Sequence, residues 1–115
     1  MSVSLGHITF DAVDAAALAA FWSAALDRPV DEGGSVHFSS IGYPAEPGRA
    51  AWLFLAVPEP KAAKNRLHLD LVATDRDAEV ARLVALGATR VDEHEEYGHT
   101  WTVLRDPEGN EFCVA

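Results

Sequence analysis

The sequence has few of the features that would indicate a secreted, membrane-bound or nucleic-acid-binding protein. Its single cysteine, Cys113, has no second cysteine with which to form a disulfide within the chain. No apolar run approaches the roughly 20 residues that cross a bilayer, and the N-terminus lacks a basic segment followed by an apolar stretch. Nine Lys and Arg residues against 18 Asp and Glu give a net charge of −9, which repels phosphate backbones and anionic lipid. We therefore expect a cytoplasmic protein that binds neither nucleic acid nor membrane.

What the chain does contain is typical of one globular domain. Its 115 residues are 49% hydrophobic and 23% charged, which provides enough apolar material for a core. Cys113 lies in an apolar stretch, so we interpret it as a buried, inert thiol without a catalytic role.

The sequence repeats itself once, at a spacing of 61 residues. The pairs that share this spacing are His7 and His68, Asp14 and Asp75, Val30 and Val91, and Glu32 and Glu93. A constant spacing across strand, helix start and following strand indicates a duplicated supersecondary unit. We predict one domain of residues 1–115 made of two modules, 1–60 and 61–115, joined by a linker at 58–64.

Hydrophobic periodicity predicts the elements of the first module. A strand at 5–10 precedes a helix whose apolar residues recur at helical spacing from Leu18 to Leu26. Asp14 can cap the first turn, and Pro29 stops the helix. Further strands are expected at 36–41 and 51–57, with a short one near Val30.

The second module repeats this order. A strand at 67–72 is followed by a helix that Asp75 or Asp77 caps and that Gly87 ends. The remaining strands are expected at 89–93, 100–104 and 111–114. Each module is therefore predicted to be β-α-β-β-β, and the fold class is α+β with two pseudo-symmetric modules.

Strand alternation places three metal-ligand types on equivalent surfaces. In the strand at 67–72, leucines occupy one face, and His68 and Asp70 occupy the other. His7 holds the matching position in the first strand. Glu111 shares the histidine side of the last strand, where an unpaired carboxylate would be costly. Two imidazoles and one carboxylate suit iron, zinc, nickel, cobalt or manganese and leave positions open for substrate.

A purely structural interpretation of these residues is also open. A strand histidine is often a hydrogen-bonded core or pocket residue, and Glu111 could pair with Arg66 or Arg105. The three ligands would converge only if the two modules pack together. His37 and His94 are interpreted as surface residues near turns.

Several motifs resemble the vicinal oxygen chelate (VOC) superfamily, specifically its small glyoxalase-like and bleomycin-resistance-like members. They are the strand His-Ile-Thr-Phe-Asp from His7, the Phe21-Trp22 pair, the strand Arg-Leu-His-Leu-Asp-Leu around His68, and Asp-Pro-Glu-Gly-Asn-Glu-Phe at 106–112. By themselves, residues 106–110 predict a turn, because Pro suits its second position and Gly-Asn tolerate positive φ. The resemblance covers essentially the whole chain.

The resemblance implies a fold and a chemistry. The two βαβββ modules would form a curled mixed sheet cup, the glyoxalase/bleomycin resistance/dihydroxybiphenyl dioxygenase fold, with His7, His68 and Glu111 as metal ligands. The cofactor would be a divalent metal ion (iron, zinc, nickel or manganese) that polarises the oxygens of a small oxygen-rich substrate in a lyase, isomerase or dioxygenase reaction. The resemblance also implies a homodimer, with modules paired within or across chains.

One ligand of the glyoxalase pattern is missing. The last strand of the first module would normally supply a fourth ligand, and the 61-residue spacing places that position at Ala50, in a wholly apolar stretch. Lactoylglutathione lyase activity is therefore not expected. A second class of function stays open, a metal-independent small-molecule binding or antibiotic-resistance protein that sequesters its ligand in the same cup.

Aromatic and titratable residues complete the predicted site. His99 and Tyr97, on or just before the seventh strand, are the candidate general acid/base groups, because His titrates near neutrality and Tyr can donate to oxyanion charge. Aromatic residues at strand spacing are also typical of a core. The aromatic residues predicted to contact substrate are Trp52, Phe54, Trp101 and Phe38.

Overall fold

The computed structural model describes residues 2–115, and within them the chain forms seven strands and two helices. In order these are β1 (His7–Ala12), α1 (Ala15–Leu26), β2 (Phe38–Ile41), β3 (Ala51–Ala56), β4 (Leu69–Leu71), α2 (Arg76–Leu86), β5 (Thr89–Glu96), β6 (His99–Arg105) and β7 (Glu111–Val114). The predicted α+β class is confirmed. Residues up to Pro60 form one compact unit, and Lys61–Ala115 form another. Neither helix within residues 2–115 is long and apolar enough to cross a membrane.

The first unit contains a three-stranded mixed sheet in the order β1-β3-β2. β1 and β3 run parallel, with His7 opposite Ala51, and β2 pairs antiparallel with β3. The strand expected near Val30 is reduced to a single isolated bridge between Val30 and Ile41. The first unit therefore shows β-α-β-β plus the isolated bridges Val30–Ile41 and Glu46–Arg49, where the sequence predicted a short strand near Val30 and two further strands after the helix.

Asp31 gives the physical reason for the missing strand. Its carboxylate accepts hydrogen bonds from the Ser40 hydroxyl at 2.7 Å, from the Tyr43 N–H at 2.8 Å and from the Gly42 N–H at 3.2 Å. Burial by itself would raise the pKa of Asp31, but these three donors and the nearby Arg28 charge outweigh it and lower the pKa. The bonds hold this segment as a loop, so the strand does not extend beyond the bridge.

Helix α1 begins where the sequence predicted. The Asp14 side chain accepts a hydrogen bond from the Ala17 N–H at 3.0 Å and so caps the first turn. The helix ends at Leu26 because Asp27 adopts a left-handed conformation with φ 53°, two residues before Pro29.

An aromatic cluster fills the space between α1 and the first sheet. Ring centroids lie 5.1 Å apart for Trp22 and Trp52, 5.3 Å for Phe10 and Phe54, and 5.7 Å for Phe10 and Trp52. Trp22 and Phe54 are completely buried. Burial of such a ring contributes on the order of 1.5–3 kcal/mol, so this cluster stabilises the packing of α1 on the first sheet.

The second unit has the complete β-α-β-β-β order. Its sheet runs β4-β7-β6-β5, with β4 and β7 parallel and the other two pairs antiparallel. Asp75 caps α2 by accepting a hydrogen bond from the Ala78 N–H at 3.1 Å. Gly87 ends the helix with φ 124°, a conformation that side chains disfavour. Both helix boundaries were predicted from the sequence.

Alternation along the strands gives the second sheet two different faces. Leu69 lies opposite Phe112 and Leu71 opposite Val114. Phe112 and Val114 are buried on the α2 side. The residues between them point the other way. We call this surface the open face of the second sheet. Besides the β5 residues that pair with β6, it carries His68, Asp70, His99, Trp101, Val103, Arg105, Glu111 and Cys113.

Candidate metal and ligand site

Glu111 is the most strongly held side chain of the open face. Its carboxylate is only 10% exposed. Oε1 accepts a hydrogen bond from the Asn65 N–H at 3.0 Å, Oε2 accepts one from the Lys61 ammonium at 3.2 Å, and Arg105 Nε lies 3.9 Å from Oε2. Burial would raise the pKa of Glu111, but the Asn65 N–H and Lys61 outweigh it, so the pKa lies below its usual value. Glu111 is therefore ionised at neutral pH.

The main cation beside Glu111 was missed by sequence reasoning. Arg105 was one of two arginines considered as its partner, and it does lie within ion-pair distance. Lys61 is closer, but it lies in the segment interpreted as a linker, 50 residues away in the sequence. The contact becomes visible only in the folded chain, where a turn brings Asn65 and Lys61 to β7.

That turn is formed by residues 106–110, as the motif predicted. The buried Asp106 carboxylate accepts hydrogen bonds from the N–H groups of Glu108 and Asn110 and from the Asn110 side-chain amide. Gly109 has φ 89°, whereas Asn110 keeps a negative φ. The Asn65 amide donates to Asn110 Oδ1 at 3.0 Å, so the turn also positions the start of the second unit beside Glu111.

His68 and Glu111 both belong to the open face. Leu69 lies opposite Phe112 in the parallel pair of β4 and β7, and His68 and Glu111 directly precede these two residues in the sequence. Adjacent strands are about 4.8 Å apart. The Nε2 atom of His68 lies 3.2 Å from Oδ1 of Asp70. The second unit thus carries two of the three predicted metal ligands, one just before β4 and one at the start of β7.

His7, the third predicted ligand, belongs to the first unit. It is exposed on β1, on the sheet face opposite α1, and its ring centroid lies 5.4 Å from that of Tyr43. Ala51 lies directly opposite His7 and is completely buried. Ala51, not Ala50, therefore corresponds to Glu111, because the last strand is shifted by one residue relative to the 61-residue repeat. An alanine at either position provides no fourth ligand.

The four aromatic residues predicted to contact substrate lie on different faces. Phe38 is 39% exposed and shares the His7 face of the first sheet, and Trp101 is half-buried on the open face of the second sheet. Trp52 and Phe54 point the other way, into the core beneath α1. Core packing accounts for these two rings, and their predicted contact with substrate finds no support in this placement.

His99 and Tyr97 lie at the far end of the β5–β6 hairpin. Tyr97 is 96% exposed with φ 52°, followed by Gly98 with φ 78°, and together they form the turn. His99 is on the open face, but six residues separate it from Arg105, which pairs with Glu111. At about 3.3 Å per residue this is roughly 20 Å, too far for direct proton transfer beside Glu111. Their predicted acid/base role is thus not supported by position.

Three ligand-type side chains meet on the open face. Among residues 2–115, His68, Asp70 and Cys113 are the one group of three His, Cys, Asp or Glu residues whose ligand atoms all lie within 4.8 Å of one another. Cys113 is buried, as expected, and Asp70 lies opposite it on β4. Burial, the Asp70 charge and a hydrogen bond to Asp70 raise the pKa of the Cys113 thiol, while Lys64 partly offsets them. Strand parity had placed Asp70 with His68, but a single cysteine gave no reason to include Cys113.

A separate cavity of about 270 Å³ lies in the first unit, lined in part by Arg28, Arg49, Asp31 and Glu46. None of the residues predicted for the site contributes to it. The cavity wall is instead built from the Asp31 loop and the segment after α1. Three carboxylates, those of Asp27, Asp31 and Glu46, and two guanidiniums line the cavity.

Comparison with known proteins identifies the family. The family model described as a Glyoxalase-like domain matches residues 7–115. The chain belongs to this family. The glyoxalase-like domain is part of the VOC superfamily, as the motifs around His7, His68 and 106–112 indicated. No curated protein matches the chain significantly.

Solved structures share the fold of this glyoxalase-like protein at low sequence identity. A glyoxalase/bleomycin resistance/dioxygenase family enzyme from Burkholderia phytofirmans PsJN superposes with a TM-score of 0.78 at 22% identity, over 97% of each chain. A Glu-to-Gln mutant of the fosfomycin resistance protein FosX from Listeria monocytogenes, complexed with Mn(II) and 1S,2S-dihydroxypropylphosphonic acid, gives 0.76 at 16% identity, over 99% of this chain and 90% of FosX. A lactoylglutathione lyase from Agrobacterium tumefaciens gives 0.67 at 18%, over 99% and 93%. These similarities establish the VOC fold.

Proposed function

We propose that this glyoxalase-like protein is a divalent-metal-dependent enzyme of lyase, isomerase or dioxygenase type that acts on a small oxygen-rich molecule. The observation that carries the proposal is the ionised, nine-tenths buried Glu111 at the start of β7, the strand that pairs with β4 directly after His68. The proposal includes His7 as the third ligand, the two units as modules of one domain, a homodimer and a cytoplasmic location. The FosX structure with Mn(II) gives a precedent for metal in this fold.

The donor chemistry of these residues fits such an ion. Glu111 is held as a carboxylate by the Asn65 N–H on Oε1, and it already attracts a cation, Lys61, to Oε2. His68 and His7 are exposed imidazoles that can present a ring nitrogen. An ion bound there would act as a Lewis acid toward neighbouring substrate oxygens. Asn65 would keep Glu111 oriented, and Lys61 would have to move from Oε2 or stay as a positive group beside the substrate.

Metal content tests this proposal directly. Protein purified without chelator or an affinity-tag metal is expected to contain near-stoichiometric iron, zinc, nickel or manganese by elemental analysis. The His7→Ala, His68→Ala and Glu111→Gln variants should lose iron, nickel or manganese while remaining folded, because each loses one of three ligands. Zinc that remains in His7→Ala or Glu111→Gln would be bound at other residues. His37→Ala is the matched control, since His37 is an exposed histidine outside the site. Wild-type protein that contains no metal and takes up none would contradict the proposal.

A second function is favoured by one observation. Lys61, Asn65 and Arg105 already provide the Glu111 carboxylate with partners of the protein itself, as a metal-independent binding or antibiotic-resistance protein would require. In that case chelator-treated protein should still bind its ligand with unchanged affinity. The readout is quenching of Trp101 fluorescence, with Trp101→Phe as the control for the two tryptophans of the first unit. Loss of binding after chelation would exclude this alternative.

A further inference from the structure

A second combination of ligands exists in the second unit, separate from Glu111. The His68 imidazole, Asp70 carboxylate and Cys113 thiol come from two adjacent parallel strands, with Asp70 directly opposite Cys113. Their ligand atoms lie within 4.8 Å of one another, and His68 Nε2 is 3.2 Å from Asp70 Oδ1. One nitrogen, one oxygen and one sulfur at this separation can reach the same ion after small side-chain rotations.

The burial of the three groups suits an ion that enters from solvent. Cys113 is 7% exposed and lies at the base of the group, whereas the His68 and Asp70 side chains are 47% and 67% exposed. An ion could therefore approach from the side of His68 and Asp70 and bind sulfur last. Three protein ligands leave a fourth tetrahedral position open to water or to a small molecule.

We propose that His68, Asp70 and Cys113 form a thiolate-containing site for a borderline-soft divalent cation such as Zn²⁺ or Co²⁺. Zinc binds cysteine sulfur, histidine nitrogen and carboxylate oxygen, the three ligand types of this group. This assignment does not rest on the proposed function, because it uses neither His7 nor Glu111. The two sites compete for His68, so one ion occupies one site or the other.

A nucleophilic role for Cys113 fits the same geometry less well. The thiol adjoins the Asp70 carboxylate, and that charge together with burial disfavours the thiolate that a nucleophile needs. A bound cation reverses this effect because a coordinating thiol gives up its proton to the surrounding water. The arrangement therefore favours metal binding over catalysis by the unassisted cysteine.

Cobalt spectroscopy on the full chain tests the site. Metal-free protein is titrated with Co²⁺, and one equivalent should produce the intense near-ultraviolet charge-transfer band of a thiolate bound to cobalt. Cys113→Ser should abolish the band. Asp70→Asn should weaken Co²⁺ binding at least about tenfold, since loss of even an outer partner of a metal site costs 10–100-fold. Asp70 is exposed, so this variant tests the site even if Cys113→Ser disturbs folding.

Other variants separate this site from the one in the proposed function. His7→Ala and Glu111→Gln should keep the cobalt–thiolate band, and Asp77→Asn, another exposed aspartate of the second unit, should bind Co²⁺ as the wild type does. Cobalt binding without the band, or unchanged affinity in Asp70→Asn, would overturn this inference whatever the enzyme activity. Absence of turnover in a protein that shows the band would instead count only against the proposed function.

Discussion

At the scale of single residues, Glu111 connects the two ends of the second unit. Its carboxylate binds Lys61 and Asn65, the first residues of that unit, and lies on the open face with His68. The same ionised group can therefore hold Lys61 and Asn65 against β7 or bind a metal cation. Under the proposed function, the Lys61 ammonium would compete with a metal ion for the Glu111 carboxylate, because it already donates a hydrogen bond to Oε2.

Replacing Lys61 should loosen this arrangement without unfolding the protein. In Lys61→Met, the pKa of Glu111 is expected to rise, because the variant loses the positive charge and one hydrogen bond that stabilise the carboxylate. The free energy of unfolding should fall by about 1 kcal/mol, since the pair is partly exposed. A carbon-detected NMR titration of Glu111 measures the pKa. Lys64→Met is the control, and an equal Glu111 pKa in the two variants would contradict the role of Lys61.

Asp31 should stabilise the first unit in a pH-dependent way. Asp31→Ala removes the acceptor of three hydrogen bonds and is expected to cost about 2–3 kcal/mol at neutral pH. Folding lowers the pKa of this carboxyl, so its contribution is complete above the ordinary value of 3.8 and is lost as pH falls through the lower folded-state pKa. Urea denaturation at several pH values measures the difference.

Glu32→Ala is the matched control for Asp31, because Glu32 is the neighbouring exposed carboxylate. Its stability should follow that of the wild type at every pH. A constant difference between Asp31→Ala and the wild type down to the most acidic stable conditions would show that the ionised carboxylate is not the source of the stabilisation.

At the scale of secondary structure elements, the two faces of each sheet separate core from site. In the first sheet, Phe54 lies beneath α1 and Phe38 lies on the opposite face with His7. Both were predicted to contact substrate, but the structure gives them different environments. Substitution of Phe54 should therefore lower stability, whereas substitution of Phe38 should change ligand binding.

Phe54→Ala should destabilise the protein by about 3–5 kcal/mol because it leaves a cavity in a completely buried aromatic cluster. Phe38→Ala, the exposed counterpart, should cost less than about 1 kcal/mol and change ligand affinity instead. Thermal unfolding and ligand titration of the two variants check this difference. A larger loss of stability in Phe38→Ala than in Phe54→Ala would contradict the assignment of faces.

Element boundaries set by local chemistry were predictable from the sequence. Asp14, Asp75 and Gly87 act at helix ends through neighbouring backbone groups, so their roles can be read from a few residues. The face of Trp52 could not be read in this way, because the stretch 50–55 is apolar on both sides and gives no alternation. The contact between Lys61 and Glu111 spans 50 residues and depends on the completed sheet.

The predicted site also has features that the sequence could predict and features that it could not. Alternation in 67–72 correctly put His68 and Asp70 on the face that carries Glu111, because leucines mark the other face. His99 shares that face, but its distance from Glu111 follows from the antiparallel register of β6 and β7, which the sequence does not reveal. Similarly, the one-residue shift from Ala50 to Ala51 appears only in the strand pairing.

At the scale of the whole molecule, the proposed homodimer is a prediction that mass measurement can test. Sedimentation equilibrium should give twice the chain mass of 12.4 kDa at micromolar concentration. The charge of −9 implies mutual repulsion between chains at low ionic strength, so raising the salt concentration should favour association. A mass equal to that of one chain at all salt concentrations would contradict the proposed homodimer.

The position of β7 has a consequence for synthesis on the ribosome. β7 lies between β4 and β6, so the second sheet is divided until residues 111–114 are available. These are also the residues that fix Lys61 and Asn65 through Glu111. The first unit has all of its strands once residue 56 has emerged, whereas the second must wait for its final strand. A nascent chain should therefore hold a folded first half beside an unfinished second half, and chaperones would meet the protein in that state.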